Sequence, residues 1–126
     1  MILGTGIDLV HVSRIEEAIN RLGARFRERV FTEAEIGYCE AKGSRYESYA
    51  ARFAAKEAAM KALGTGWSSG VGWREIEVVS PDNGHPTLRL TGNALRQFEK
   101  MGASVVHVSI SHSDNLAIAQ VLIENE

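Results

Sequence analysis

The segment 45–63, which ends in RFAAKEAAMKAL, is the feature that most limits how this chain can fold. Its composition predicts a long helix that Gly64 ends. At about 100° per residue, Phe53, Met60 and Leu63 share one bulky apolar face, and the opposite side is filled by Ala54, Ala55, Ala58, Ala59 and Ala62. A helix that is apolar on nearly all sides is usually buried. We therefore expect other elements to cover both faces, with a backbone close to the alanines.

Composition predicts one soluble domain that spans residues 1–126. The chain has 126 residues, of which 44% are hydrophobic and 24% are charged, as in ordinary globular proteins. Its net charge of -2 gives no general attraction to nucleic acid or to a membrane surface. The single cysteine, Cys39, cannot form an internal disulfide, and MILGTGIDLV lacks the features of a signal peptide. We expect a cytoplasmic protein.

Local patterns predict an α+β fold with a mainly antiparallel sheet and helices on one face. Three S/T-x-x-E capping boxes, at Ser13, Thr32 and Ser44, mark helix starts, and Gly23 can close the first helix. The predicted helices are one that opens at Ser13, one at 33–41, one at 45–63 and one at 92–102. The predicted strands lie at 2–12, 75–80, 87–90, 105–111 and 116–123, with hairpin turns at PDNGHP and HSDN.

Two charged residues of the long helix need an explanation. Glu57 and Lys61 lie between its two apolar faces, and a charge in such a place must be paired, hydrogen-bonded or bound to an ion. One interpretation is an i,i+4 ion pair worth a few tenths of a kcal/mol. The other is a site for a charged ligand.

The first strand favours the ligand site. Asp8 lies in the middle of this strand, and the period of two places it on one face with Gly4 and Gly6. Glycines in a strand mark a bulge or the close approach of a ligand or backbone, so a strand end with local hydrogen bonds is the alternative. Asp8 and Glu57, with Lys61 one turn further, make a credible site for Mg2+ and phosphate, because Mg2+ prefers oxygen ligands and lysine neutralises phosphoryl oxygens.

Four segments, in this order and spacing, make the chain resemble a known family. They are GTGIDLVHVSRI at the N-terminus, FAAKEAAMKALGTG in the middle, GHP in the first hairpin and SISHS near the end. Together they resemble the holo-acyl-carrier-protein synthases, the small 4'-phosphopantetheinyl transferases of bacterial fatty acid synthesis. The resemblance covers essentially the whole chain.

The resemblance implies a reaction. The family transfers 4'-phosphopantetheine from coenzyme A to a serine of apo acyl carrier protein and releases adenosine 3',5'-bisphosphate. Asp8 and Glu57 match the family's metal-binding carboxylates, and Lys61 matches the lysine that assists the leaving group. Either a metal-bound water or a carboxylate such as Glu57 would accept the serine proton. The family also implies a homotrimer with active sites at the subunit interfaces.

The same resemblance places a second set of residues near the coenzyme A phosphates and nucleotide. These residues are Arg52, Lys61, Gly84, Pro86 and His112. Without the resemblance, His112 would be a turn residue that forms hydrogen bonds, and Pro86 a plain hairpin residue. The loop 64–72, GTGWSSGVG, lacks the G-K-[ST] ending of a P-loop, and we interpret it as a connector beside the site.

Residues 14–29 form a local basic patch in an otherwise acidic chain. Arg14 and Arg21 share a helix face, and Arg25 would continue it if the helix ran past Gly23. Such runs of charged residues usually form no more than a solvent-exposed helix face. The resemblance implies docking of acyl carrier protein, a small acidic helical protein, on these arginines.

Two other functions remain for comparison. A non-catalytic module that binds coenzyme A or carrier protein would not need Asp8, Glu57 and Lys61 together. A magnesium-dependent hydrolase of pyrophosphate bonds could use the same residues on water. The products distinguish these functions from a transferase.

Overall fold

The computed structural model describes residues 1–65, 70–81 and 84–126. Its elements, in chain order, are β1 (Ile2–His11), α1 (Val12–Leu22), α2 (Ala24–Val30), α3 (Glu33–Glu40), α4 (Arg45–Ala62), a 3-10 turn (Trp73–Glu75), β2 (Ile76–Val79), β3 (Thr87–Leu90), α5 (Gly92–Lys100), β4 (Val105–Ser113) and β5 (Leu116–Glu124). Residues 66–69 of the predicted connector and residues 82–83 of the first hairpin turn lie outside the described residues.

The predicted α+β class with antiparallel strands is confirmed. A three-stranded sheet has the order β1-β5-β4, and a two-stranded sheet pairs β2 with β3, all antiparallel. The last strand in the chain, β5, is therefore the central strand of the larger sheet. Asp8 pairs with Ala119 of β5, and Ala119 pairs with Ile110 of β4.

Helix α4 packs on the larger sheet through its alanine side, as predicted. A Cβ atom on Gly6 would overlap the carbonyl oxygen of Ala58, and one on Gly4 would overlap that of Ala62. Only glycine fits at these two positions of β1, because the backbone of α4 lies against them. A register irregularity lies between Ile2 and Gly4, but Gly6 pairs regularly with Val121 and Asp8 with Ala119, so the interpretation of a strand end at Asp8 is wrong.

One of the three predicted capping boxes forms in the structure. Thr32 forms the full capping box with Glu35. Helices α1 and α4 begin near the predicted positions, but neither Ser13 nor Ser44 makes the predicted capping hydrogen bond. Gly23 (φ 60°) ends α1 as predicted, and α2 then begins at once, which the sequence patterns did not indicate.

The face of the larger sheet that points away from α4 carries exposed apolar side chains. Ile7, Leu9 and Ile118 are 56%, 57% and 36% exposed. Ile7 and Leu9 are neighbours on one face of β1, and Ile118 lies opposite Leu9 on β5. In the part of the chain that the structure describes, no helix is long and apolar enough to cross a membrane.

We expect the substitution Gly6→Ala to destabilise the protein strongly. The added methyl group meets backbone atoms of α4, which can move only if the helix leaves the sheet, so the free energy of unfolding should fall by about 3 kcal/mol. Urea denaturation followed by circular dichroism measures this change.

The matched control is Gly37→Ala, because Gly37 lies in α3 with open space around its Cα. This substitution should leave stability unchanged or raise it by up to about 1 kcal/mol. Equal effects of the two substitutions would contradict the close approach of β1 and α4.

Candidate active site

Asp8, Glu57 and Lys61 meet where β1 crosses the C-terminal half of α4, and we call these three residues the carboxylate corner. The Lys61 ammonium donates to the carbonyl oxygen of Ile7 at 2.9 Å and to Asp8 Oδ1 at 3.2 Å. The Asp8 side chain is 18% exposed and that of Lys61 is 54% exposed. The corner therefore opens to solvent on the lysine side.

Glu57 belongs to this corner electrostatically. Burial and the nearby Asp8 carboxylate raise the pKa of Glu57, and Lys61 acts in the opposite direction. Lys61 forms its ion pair with Asp8 of β1 rather than with Glu57, so the i,i+4 interpretation is wrong. The carboxylates of Asp8 and Glu57 therefore lie close together, and the Lys61 ammonium lies on their solvent side.

The donor set fits a hard divalent cation such as Mg2+. Among the described residues, the corner offers the carboxylate oxygens of Asp8 and Glu57 and the carbonyl oxygen of Ile7, and the repulsion between the carboxylates contributes to the raised pKa of Glu57. The described residues contain no group of three or more His, Cys, Asp or Glu side chains that could hold a metal ion. A cation here would thus need water or ligand oxygens to complete its coordination, which is how Mg2+ is usually bound beside phosphates.

His112 lies on β4, at the opposite edge of the larger sheet. Its Nδ1 atom is 3.1 Å from Glu47 Oε2, near the start of α4. Further along β4, a surface cavity of about 480 Å³ lies between this strand and the start of β3. Pro86 and His85 line the cavity, and Gly84 precedes them in the same turn.

Arg52 is a buried cation near the end of β2. The residue is 5% exposed, its Nη2 atom donates to Ser80 Oγ at 2.8 Å, and its guanidinium lies 4.1 Å from the centre of the Tyr38 ring. Its Nε atom has no hydrogen-bond partner. No carboxylate of the described residues forms an ion pair with it, so it remains available to balance an anion.

We call His112 and the turn Gly84–Pro86 the β4-edge group; Arg52 is not part of it, because it lies on α4 between the positions of Glu47 and Glu57. Two strand spacings separate Asp8 from the β4 edge, which is about 10 Å across the sheet. His112 contacts Glu47 near the start of α4, whereas Asp8 contacts Lys61 near its end. These two positions are about 21 Å apart along the helix axis. A single chain therefore brings Asp8, Glu57 and Lys61 together but leaves the β4-edge group apart from them.

The predicted docking arginines lie on two helices. Arg14 and Arg21 are exposed on α1, whose buried side is formed by Val12, Ile15 and Ile19. Arg25 lies on α2, because Gly23 ends α1, so it does not continue the helix face of the other two. Arg25 instead lines a surface cavity of about 380 Å³ together with Leu22, Phe26 and Arg29.

A buried ion pair between α4 and α3 was not predicted. Lys56 and Glu35 are both fully buried, with Lys56 Nζ 2.7 Å from Glu35 Oε1. Lys56 also donates to the carbonyl oxygens of Trp73 and Ile76, and Glu35 Oε2 accepts from the amide of Val78 at 2.9 Å. Burial lowers the pKa of Lys56, and Glu35 opposes this effect.

The signal for this pair was present in the sequence. Lys56 lies between alanines on a helix with little exposed surface, so it needed a buried partner as much as Glu57 did. The partner itself was not identifiable, because Glu35 was already accounted for by its capping box. In the structure Glu35 pairs with Lys56 and also completes the capping box, where it accepts from the Thr32 amide at 2.9 Å.

We expect Lys56→Met to lower the free energy of unfolding by about 3–5 kcal/mol, because it leaves the Glu35 charge buried without its partner. The double variant Lys56→Met/Glu35→Gln should lose less than the sum of the single losses. Urea denaturation of all four proteins gives the coupling energy. If the loss of stability in the double variant equals the sum of the two single losses, a direct interaction between Lys56 and Glu35 is contradicted.

Arg45→Met provides the control. Arg45 forms an exposed ion pair with Glu40 at 3.5 Å, and such pairs contribute less than about 1 kcal/mol.

Comparisons with known proteins agree on one family. The model of the 4'-phosphopantetheinyl transferase superfamily matches residues 4–121. A holo-acyl-carrier-protein synthase from Solibacter usitatus is 50% identical over 99% of this chain and 100% of its own length. The structure of the same enzyme from Neisseria meningitidis superposes with a TM-score of 0.89 at 35% identity, covering 99% of this chain and 100% of that one. The Bacillus anthracis enzyme in complex with coenzyme A (3',5'-ADP) gives a TM-score of 0.81 at 41% identity, covering 100% and 99%.

Proposed function

The chain belongs to the holo-acyl-carrier-protein synthases of the 4'-phosphopantetheinyl transferase superfamily, a family of transferases, and from this we propose its reaction. It transfers 4'-phosphopantetheine from coenzyme A to a serine of apo acyl carrier protein, with Mg2+, and serves fatty acid biosynthesis in the cytoplasm. Residues 1–126 act as one transferase domain. The observation that carries the proposal is the carboxylate corner, where Asp8 and Lys61 pair beside Glu57.

Asp8 and Glu57 are the residues that would hold the Mg2+ ion. When bound, the ion withdraws charge from the attacked phosphorus and stabilises the oxygen that leaves. By holding the ion, the two carboxylates would place its charge beside the coenzyme A diphosphate. Their closeness, which contributes to the raised pKa of Glu57, favours a divalent cation over an empty corner.

Lys61 supplies an exposed positive charge at the open side of the corner. Its ammonium has three donors, and its two hydrogen bonds to β1 hold it near Asp8 without burying it. It can therefore donate to a phosphate oxygen and neutralise the leaving group. In the transfer, the carrier serine oxygen bonds to the β-phosphorus, the bond from this phosphorus to the bridging oxygen breaks, and the serine proton leaves to a carboxylate oxygen of the corner or to a water beside it.

The carrier protein would dock on α1 and α2. Arg14, Arg21 and Arg25 are exposed there, which suits an acidic partner. The cavity beside Arg25 is walled by Leu22 and Phe26, so it offers an apolar surface next to positive charge. Complementary charge would speed association and make it sensitive to salt.

We expect the protein to add one phosphopantetheine arm to apo acyl carrier protein in the presence of coenzyme A and Mg2+. The variant Glu57→Gln should be slower by about 100-fold or more, because it removes one of two charged metal ligands while keeping the side-chain shape. Intact-mass spectrometry of the carrier protein measures both rates.

The same experiment distinguishes the other two functions. A hydrolase would release free phosphopantetheine and leave the carrier mass unchanged. A non-catalytic module would leave coenzyme A intact at every Mg2+ concentration. Either result with the wild-type protein would overturn the transferase proposal. Glu33→Gln, an exposed substitution on α3, is the control that should keep full activity.

We also propose a homotrimer with active sites at the subunit interfaces. Two observations support it. The outer sheet face presents Ile7, Leu9 and Ile118 to solvent, which is costly unless another copy covers them. The carboxylate corner and the β4-edge group are on opposite edges of one sheet, so one copy would supply the corner and its neighbour the β4-edge group.

Mixed trimers test this arrangement. We expect Asp8→Asn and His112→Ala each to lose most of the activity, and their co-expressed mixture to recover about a quarter of the wild-type rate, because about one interface in four then combines two intact halves. Native mass spectrometry confirms the mixing. Mixed trimers without recovery would place both residues in the same site within one chain, and a monomeric wild-type protein would contradict the trimer.

A further inference from the structure

Helix α1 receives its N-terminal cap from the far end of the chain. Its own N-cap residue, His11, makes no capping hydrogen bond, and its first turn has no acidic residue. Asn115 takes this role with three hydrogen bonds. Its carbonyl oxygen accepts from the Val12 amide at 2.8 Å, its Oδ1 atom accepts from the Ser13 amide at 2.9 Å, and its Nδ2 atom donates to Ser13 Oγ at 3.0 Å.

Asn115 is held in place by the turn that carries it. It lies between β4 and β5, which pair at Ser113 and Leu116, so only two residues connect the strands. The first of these, Asp114, has a φ of 53°, a left-handed conformation that aspartate tolerates better than most residues. The side chain of Asn115 therefore leaves a short hairpin turn that is fixed by the central strand.

The same hairpin contacts α4, and α4 contacts α1. His112, three residues before Asn115, pairs with Glu47 near the start of α4. The neighbouring Tyr46 donates from its hydroxyl to Asn20 Oδ1 of α1 at 3.0 Å. The start of α1, the β4–β5 turn and the start of α4 thus form one connected group.

We propose that Asn115 is a positioning residue for carrier-protein recognition, an inference that rests on the proposed function. It fixes the first turn of α1, which carries Arg14, relative to the hairpin that carries His112. Loss of this cap would fray the first turn, so Arg14 would no longer present its charge at a fixed place. Arg21, in the last turn of α1, would keep its position. Asn115 acts through α1 and makes no contact with either substrate.

Kinetics of three variants test the proposal. Asn115→Ala and Asn115→Ser, which is too short to reach Ser13, should raise the KM for apo carrier protein about fivefold and leave the KM for coenzyme A and kcat within about twofold. Asn115→Asp keeps the acceptor for the Ser13 amide and places a negative charge at the helix N-terminus, so it should match the wild type. A substitution that only reduced the folded fraction would lower kcat and leave both KM values unchanged.

Hydrogen exchange gives a readout that does not depend on activity. In Asn115→Ala, the amides of the first turn of α1 should exchange several times faster, while those of α3 stay unchanged. Asn125→Ala is the matched control, because all the hydrogen bonds that Asn125 makes to described residues use its backbone. It should change neither KM nor exchange in α1.

The outcomes are distinguishable. If the wild-type protein transfers the arm and Asn115→Ala shows unchanged or equally raised KM values for both substrates, the positioning role is overturned and the proposed function stands. Unchanged exchange in α1 also overturns it. A wild-type protein that modifies no carrier protein overturns the proposed function, and this inference with it.

Discussion

The contact between the backbone of β1 and the alanine side of α4 determines most of this structure. At Gly4 and Gly6, the carbonyl groups of Ala62 and Ala58 leave no room for a Cβ atom, so the backbones of β1 and α4 lie in direct contact. Asp8 follows on the same strand face, and this closeness brings it to Lys61 and Glu57. The packing constraint and the chemistry of the corner are consequences of one contact.

Four of the six charged residues of α4 divide into two pairs with different surroundings. Lys56 and Arg52 point into the protein, where Lys56 is neutralised by Glu35 and Arg52 rests on Tyr38. Glu57 and Lys61 point to the corner at the surface of the sheet. Burial of a charge is costly unless its partners are supplied. The first pair has such partners inside the protein, while Glu57 is only half-buried and Lys61 is exposed.

The features that the sequence predicted were those with a local physical cause. The alanine side of α4, the glycines of β1, the Thr32 capping box and the hairpin turns each follow from residues close together in the chain. The predicted caps at Ser13 and Ser44 were both wrong, and for Ser13 the reason is that a motif does not show whether another group competes for the same amide. The Ser13 amide is bonded by Asn115 from 102 positions away. The ion pair of Lys56 with Glu35 and the separation of His112 from the corner also depend on tertiary contacts that no local pattern contains.

The position of β5 in the sheet has a consequence for how the protein folds. β1 pairs with no strand but β5 within the described residues, and α1 to α5 and three other strands lie between them in the chain. Helix α4 can form from local contacts, yet the strand on its alanine side is anchored only by a partner that is distant in sequence. Asp8 therefore reaches Lys61 only after a contact of long sequence separation has formed, and a chain without β5 lacks an assembled carboxylate corner.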